Sequence, residues 1–198
     1  MTMKDASLTT IPIFPLSNTV LPNESLALHI FEPENIQLLK HCQDGKEFGV
    51  LYFNESNLSP FGTMVHVEQV VNLFPDGTCD IVVKGDHIFE LKTVIPPMED
   101  RLYPCAEVEL KKVSTESTEA LDDEYICFLE ETGKIVQEES GDTIFNIASR
   151  LGLSQEAKNH LISLPDREAM VKFLLNETRF LSKIKQQESK LNNHYYLN

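Results

Sequence analysis

Basic residues are scarce in this chain: 17 lysines and arginines stand against 31 aspartates and glutamates, a formal charge of −14. A phosphate-binding surface needs Lys and Arg to neutralise its ligand, so this balance speaks against nucleic acid and against anionic membranes. Long apolar runs are missing too. The N-terminus, MTMKDASLTT, lacks the apolar core of a signal peptide, and no window reaches the ~20 apolar residues of a membrane span. These absences predict a cytoplasmic protein. No Cys-x-x-Cys pair occurs among Cys42, Cys79, Cys105 and Cys127. In a reducing compartment they stay thiols and are expected to pack as small apolar core residues.

Reaction chemistry is equally thin. The chain has no Gly-x-x-x-x-Gly-Lys-[Ser/Thr] loop; Gly45-Lys46 and Gly133-Lys134 lack the preceding glycine and the following hydroxyl. The histidines (His29, His41, His66, His87, His160 and His194) are scattered, and only His41-Cys42 sets a histidine beside a cysteine. That pair sits on a predicted helix without an i+4 partner, so no metal, no cofactor and no catalytic residue is expected. Asp122-Asp123-Glu124 reads as the solvated charge of an exposed helix.

What is present is an ordinary globular composition, 41% apolar and 24% charged. A chain of this length buries roughly 70% of its unfolded surface. Ile11-Pro12-Ile13-Phe14-Pro15-Leu16 alternates apolar residues with prolines, which predicts a strand that lies at an edge or pairs intermittently. Leu26 to Phe31 predicts a strand buried on both faces. Glu32-Pro33 predicts a helix start, because proline fits the first helical position and an acid suits the positive end of the dipole. Gly45 is the expected stop. Phe48 to Phe53 predicts a third strand, and the polar stretch Asn54 to Phe61 an exposed loop. In Gly62 to Phe74 the apolar phase changes between Val67 and Val70, which predicts a bulge or bend. Pro75-Asp76-Gly77-Thr78 predicts a hairpin turn. Cys79 to Lys84 and His87 to Ile95 read as two strands joined by a turn at Gly85-Asp86. Ala106 to Lys111 alternates as a strand with one wet face. About seven strands and one helix therefore precede Val113.

After Val113 the apolar period lengthens from two to 3.6. Leu121, Tyr125, Phe128, Leu129, Thr132 and Val136 share one helical face, broken at Ser140-Gly141-Asp142. Ile144 to Leu151 predicts a short helix ended by Gly152, and Ser154 caps the next. Pro165-Asp166 opens a last helix of about 25 residues, longer than most. Ser114 to Asp142 holds ten acids against the single Lys134, whereas Arg150 to Lys190 holds eight bases against five acids. These patterns predict an acidic helix beside a mildly basic one. The expected division is a β-rich subdomain over residues 1–113 and a helical subdomain over 114–198.

Taken in order, IPIFPL, VLP, LALHIFEP and FGV, then GTMVHVEQVVNLFPDGTCDIVVKGDHIFEL and YPCAEVELKKV, resemble the N-terminal domain of the Lon ATP-dependent proteases. The helical stretch LGLSQEAKNHLISLPDREAMVKFLL resembles the segment that follows it. The likeness runs from about Ile11 to Leu181. It departs at Glu34-Asn35, where the family has an arginine-tyrosine pair, at Asn23, and at His87-Ile88-Phe89. The resemblance implies an α+β fold: an antiparallel, PUA-like β pseudo-barrel with one helix, followed by a helical bundle. It also implies a non-enzymatic role in binding other proteins. Lon ATPase and protease domains have no room in a chain ending at Asn198, so a free-standing recognition domain is expected.

Phe53, Phe61 and Phe74 fall at strand ends or in polar loops and are the candidate binding residues for an unfolded polypeptide. Together at one rim they would form an apolar landing site, with strand addition at a sheet edge as a second contribution. The alternative reading is a small-ligand or regulatory pocket in the β barrel. RNA binding would need the basic face around Lys172, Arg179, Lys183 and Lys185.

Overall fold

The computed structural model describes residues 8–42, 45–54, 57–133 and 143–195, with side chains described to residue 188. Its elements run β1 (Leu8–Leu16), β2 (Ser25–Ile30), α1 (Pro33–His41), β3 (Phe48–Asn54), β4 (Asn57–Leu73), β5 (Cys79–Ile95), β6 (Cys105–Leu110), α2 (Glu119–Thr132), α3 (Ile144–Leu151), α4 (Gln155–Ser163) and α5 (Arg167–Tyr195). Two units emerge: residues 1–112 with 153–163, and residues 113–152 with 164–198. The fold is α+β.

The sheet order is β2-β5-β4-β3-β1-β6, and β6 returns to pair with β5, so five strands close into a barrel with β2 appended. β5 makes the closure possible by its length. Its first half pairs with β2, from Ile30↔Cys79 to Ser25↔Lys84, and its second half with β6, from Phe89↔Leu110 to Ile95↔Cys105. β1 also divides its partners, as its prolines predict. Leu8 to Pro12 run antiparallel to β6, and Ile13 to Leu16 run parallel to β3. That parallel pair, in a barrel expected to be antiparallel, is allowed because the chain between its strands includes α1, the long crossover that parallel pairing needs.

Six strands form where about seven were expected, since β5 runs unbroken through Gly85-Asp86. Gly85 serves close approach and not a turn. A Cβ there would lie 2.2 Å from the Leu21 carbonyl oxygen. The Asn23 N–H donates to the Gly85 carbonyl at 2.8 Å, and the Gly85 N–H to the Glu24 carbonyl at 2.9 Å. An isolated glycine in a strand pattern carries this second meaning. The expected loop at Asn54–Phe61 is also corrected: β4 starts at Asn57, and Ser59 is buried with its hydroxyl donating to Asn159 Oδ1 at 2.8 Å. Glu55 and Ser56 lie outside the described residues. The phase change in β4 is a bulge. Pairing slips between Val67 and Gln69 and again between Val70 and Asn72, leaving Glu68 and Val71 as the extra residues.

Strand alternation divides the apolar side chains between two cores. Ile11, Ile13, Leu51, Met64, Phe89, Ala106 and Val108 fill the barrel interior. Their neighbours Phe14, Phe48, Val50, Val65 and Cys105 point outward and are covered by Leu38 and Cys42 at the end of α1 and by Ile30 and the first half of β5. Strands such as Phe48–Phe53 read as apolar on both faces for this reason. Helix α1 begins as predicted, with Glu32 at the N-cap and Pro33 in the first turn.

Helix α4 groups with the strands, not with the helices beside it in sequence, and its attachment is polar. The Thr19 N–H donates to Gln155 Oε1 at 2.7 Å, and the Tyr52 hydroxyl to Glu156 Oε1 at 3.0 Å. Asn159 accepts from Ser59, and the Lys158 ammonium, 10% exposed, forms an ion pair with Glu24. Ser154 caps the helix through the Ala157 N–H.

In the second unit α5 packs against α2 and α3. Thr118 and Thr143 cap α2 and α3, and Gly133 and Gly152 end them in the left-handed conformation. α2 thus stops well before Ser140–Asp142; that stretch and Val136 lie outside the described residues. The Arg167 guanidinium donates to the carbonyls of Glu116 and Ser117 at 2.7 and 2.6 Å. The acidic and basic helices meet as predicted, with Arg179 donating to Glu124 at 2.8 Å.

Cys42, Cys79 and Cys105 are buried and Cys127 is exposed, all as free thiols. Burial pushes the Cys42 thiol up to about 11. A thiol titration of the native protein at pH 8 is therefore expected to show one fast-reacting cysteine, and four only after denaturation. Fast reaction of three or four thiols in the native state would contradict this packing.

Candidate functional site

Beyond the barrel, β4 and β5 continue as a twisted hairpin with β2 along one side. This three-stranded arm carries the largest group of exposed apolar side chains described in the first unit: Phe31 (60% exposed), Val70 (57%), Val71 (51%), Leu73 (75%) and Phe74. Pairing assigns them to two faces. Val70 lies opposite Ile81, and Leu73 opposite Cys79, so they extend the face that enters the core. Both side chains nevertheless stand in solvent.

On the other face, His29, Asp80 and Asn72 form a cross-strand row. His29 Nδ1 lies 2.6 Å from Asp80 Oδ1, and Asn72 Nδ2 donates to Asp80 Oδ2 at 2.8 Å. The His29 ring stacks on Phe31 with centroids 5.8 Å apart and meets Phe74 edge-on at 6.3 Å. At the hairpin tip, Asp76 accepts from the Thr78 hydroxyl at 2.7 Å and from its N–H at 3.0 Å. Hydrogen bonds from Asn72 and then His29 hold the Asp80 carboxyl below the usual carboxylate range. The bonds from Thr78 do the same for Asp76. Both stay ionised at neutral pH. Any stability they contribute is present above the unfolded carboxylate pKa and is lost as pH falls through the depressed folded values.

β3 pairs with β4 only from Asn57 to Val65. Among the described residues, no strand lies on the far edge of β4 beyond that point, so its backbone groups there face outward. An unpaired strand edge invites another strand.

The three phenylalanines singled out from sequence do not share a rim. Phe74 belongs to the arm tip. Phe53 is 41% exposed near the end of β3, opposite Leu58 at the start of β4. Phe61 is half-buried under the Lys111 ammonium, which sits 5.1 Å from its ring centroid. Sequence reasoning missed Phe31, Val70, Val71 and Leu73: the stretch Leu26–Phe31 reads as buried on both faces but is exposed at Ala27, His29 and Phe31, and an alternating strand such as β4 reads as core along its whole length. The one available signal was the change of phase at Val67–Val70.

In the barrel interior, Gly49 and Gly62 admit the Phe89 ring, which packs there with Ile11, Ile13, Leu51 and Met64. An open cavity of about 610 Å³ is lined by residues that include Thr9, Thr10, Lys46, His66, Asp86 and His87. Within it His66 Nδ1 lies 2.5 Å from Asp86 Oδ2. Among the described residues, no three His, Cys, Asp or Glu side chains gather as a metal site, and no helix is long and apolar enough to cross a membrane.

Comparison with solved structures places this fold beside two others. The Lon N-terminal domain protein from Xanthomonas campestris superposes with a TM-score of 0.67 at 21% identity, covering 85% of this chain and 98% of that one. The N-terminal domain of the Mycobacterium avium complex Lon protease gives a TM-score of 0.61 at 13% identity, covering 86% and 98%. A comparison with curated proteins finds no match. The family model of the ATP-dependent protease La (LON) substrate-binding domain matches residues 10–187, nearly the whole chain. The chain belongs to the LON substrate-binding domain family.

Proposed function

We propose that this protein binds exposed apolar segments of other polypeptides in the cytoplasm, by contact and not by bond chemistry, and that the β4–β5 arm is its binding surface. The observation that carries this reading is the exposed apolar set Phe31, Val70, Val71, Leu73 and Phe74, beside an open β4 edge. Isolated apolar residues on a surface need no explanation, but a group gathered on both faces of one arm supports reading it as an interaction site. The open edge supplies backbone pairing to an extended segment, while the side chains supply apolar area. Phe53, on β3 opposite Leu58, and Phe61, near the start of β4, lie away from this end of the hairpin.

Binding of a fluorescent, reduced and carboxamidomethylated test protein checks this. Burying a leucine contributes about 1.5–3 kcal/mol, so Leu73→Ser is expected to weaken binding roughly tenfold or more. Its melting temperature is expected to stay near that of the parent, because exposed substitutions fall within about 0.5 kcal/mol. Unchanged affinity in both Leu73→Ser and Phe31→Ser would overturn the assignment of the surface.

A further inference from the structure

The outer face of the arm joins two kinds of group that recognise the same ligand chemistry. Phe31 and Phe74 present aromatic surface around His29. Asp76 and Asp80 stand on the same hairpin, each ionised through hydrogen bonds inside the arm. Further back, Lys84 faces Glu68 at 3.7 Å, so that pair adds no net charge. The tip thus sets two carboxylates, Asp76 and Asp80, beside exposed aromatic rings. An ammonium or guanidinium gains from both groups, from the carboxylates by charge and from the ring face by its quadrupole. A carboxylate-bearing segment gains from neither.

Resting on the reading that the arm binds polypeptides, we infer that its preferred partners are extended segments in which lysine or arginine alternates with apolar residues. The apolar residues cover Val70 and Leu73 on one face of the arm while the cationic side chains reach Phe31, Asp76 and Asp80 on the other. Acidic segments of equal apolarity are rejected. The two faces are connected at the hairpin tip, where the second bulge turns β4 and the chain reverses at Gly77. The molecule's charge of −14 acts in the same direction at long range, but the arm gathers the Phe31 and Phe74 rings around His29, whose Nδ1 lies 2.6 Å from Asp80 Oδ1.

The test uses three labelled peptides with one apolar pattern, their intervening positions all lysine, all serine or all glutamate. They are titrated against the full chain at about 0.15 M salt, where the Debye length of ~8 Å removes most long-range attraction. The lysine peptide is expected to bind about tenfold more tightly than the serine peptide, and the glutamate peptide most weakly. Asp76→Asn with Asp80→Asn is expected to cut the lysine preference at least threefold while leaving the serine peptide's affinity unchanged. Asparagine retains an acceptor oxygen for the Thr78 and Asn72 donors, and an unchanged melting temperature confirms the fold.

Equal binding of all three peptides overturns the inference and leaves the polypeptide-binding reading standing. A lysine preference that survives in the double variant also overturns it, by moving the preference away from the arm. Failure of all three peptides and of the unfolded test protein overturns the underlying reading itself.

Discussion

Gly62→Ala is expected to destabilise the barrel by about 1–3 kcal/mol, the usual cost of forcing extra volume into a packed interior. The added Cβ would lie 2.5 Å from the Val50 carbonyl oxygen, 2.6 Å from Phe89 Cζ and 2.8 Å from Leu51 Cδ2. A side-chain tip can swing away, but the Val50 carbonyl belongs to the neighbouring strand and moves only if β3 moves. Gly49, on that strand, shows the same relation: Phe89 Cζ and Ile11 Cδ1 would each lie 2.8 Å from a Cβ added there. Phe89 thus occupies a slot between two glycines, which is how so narrow a barrel admits a whole aromatic ring. Thermal unfolding by circular dichroism reads the result, at roughly 2–4 °C per kcal/mol for a chain of this size. Phe89→Leu placed with Gly62→Ala is expected to cost less than the two single changes added together, because the smaller side chain vacates part of the clash. Strict additivity would show that the ring and the glycine do not share space.

Lys158→Met is expected to have the larger effect, about 3–5 kcal/mol, because it strands the Glu24 carboxylate in a nearly closed site. The side chains of this pair are only 10% and 16% exposed. Glu24 also accepts the Leu21 N–H at 2.9 Å, so its position is fixed from both sides. Glu24→Gln combined with Lys158→Met removes both charges and is expected to recover much of the loss. Urea unfolding at neutral pH measures each variant. A loss below about 1 kcal/mol for Lys158→Met would place the pair among surface ion pairs and would contradict the view that α4 is fastened to the strands by its polar face.

Much of the barrel unit was legible in sequence, because its strands alternate and its turns carry their own chemistry. The Pro75–Thr78 hairpin, the Glu32-Pro33 helix start, the divided pairing of β1 and the bulge after Val67 all follow from local rules. Two things were not legible. Gly85 looks the same in sequence whether it turns the chain or lets the Leu21 carbonyl approach; only the neighbouring segment decides. Helix α4 likewise bears an ordinary apolar stripe, Leu161 and Ile162, while Gln155, Glu156, Lys158 and Asn159 read as solvated surface. Their partners Thr19, Tyr52, Glu24 and Ser59 lie on the order of 100 residues or more away in the chain.

The candidate site was legible only in part. Phe74 was picked out because it lies at a strand end, but Phe31 follows β2 on the face opposite Ile30, and Leu73 ends a strand that elsewhere feeds the core. The exposure of Leu73 depends on where the covering of that face stops, a property of the assembled layers and not of any window of sequence.

Hydrogen–deuterium exchange, with and without a saturating unfolded polypeptide, tests the central claim most directly. Binding at the arm is expected to slow exchange at the amides of Val70 to Phe74 and at the outward edge of β4, while the Phe53–Leu58 hairpin exchanges as before. Protection confined to the lining of the open cavity or to the helical unit, or no protection anywhere under saturating conditions, would contradict it.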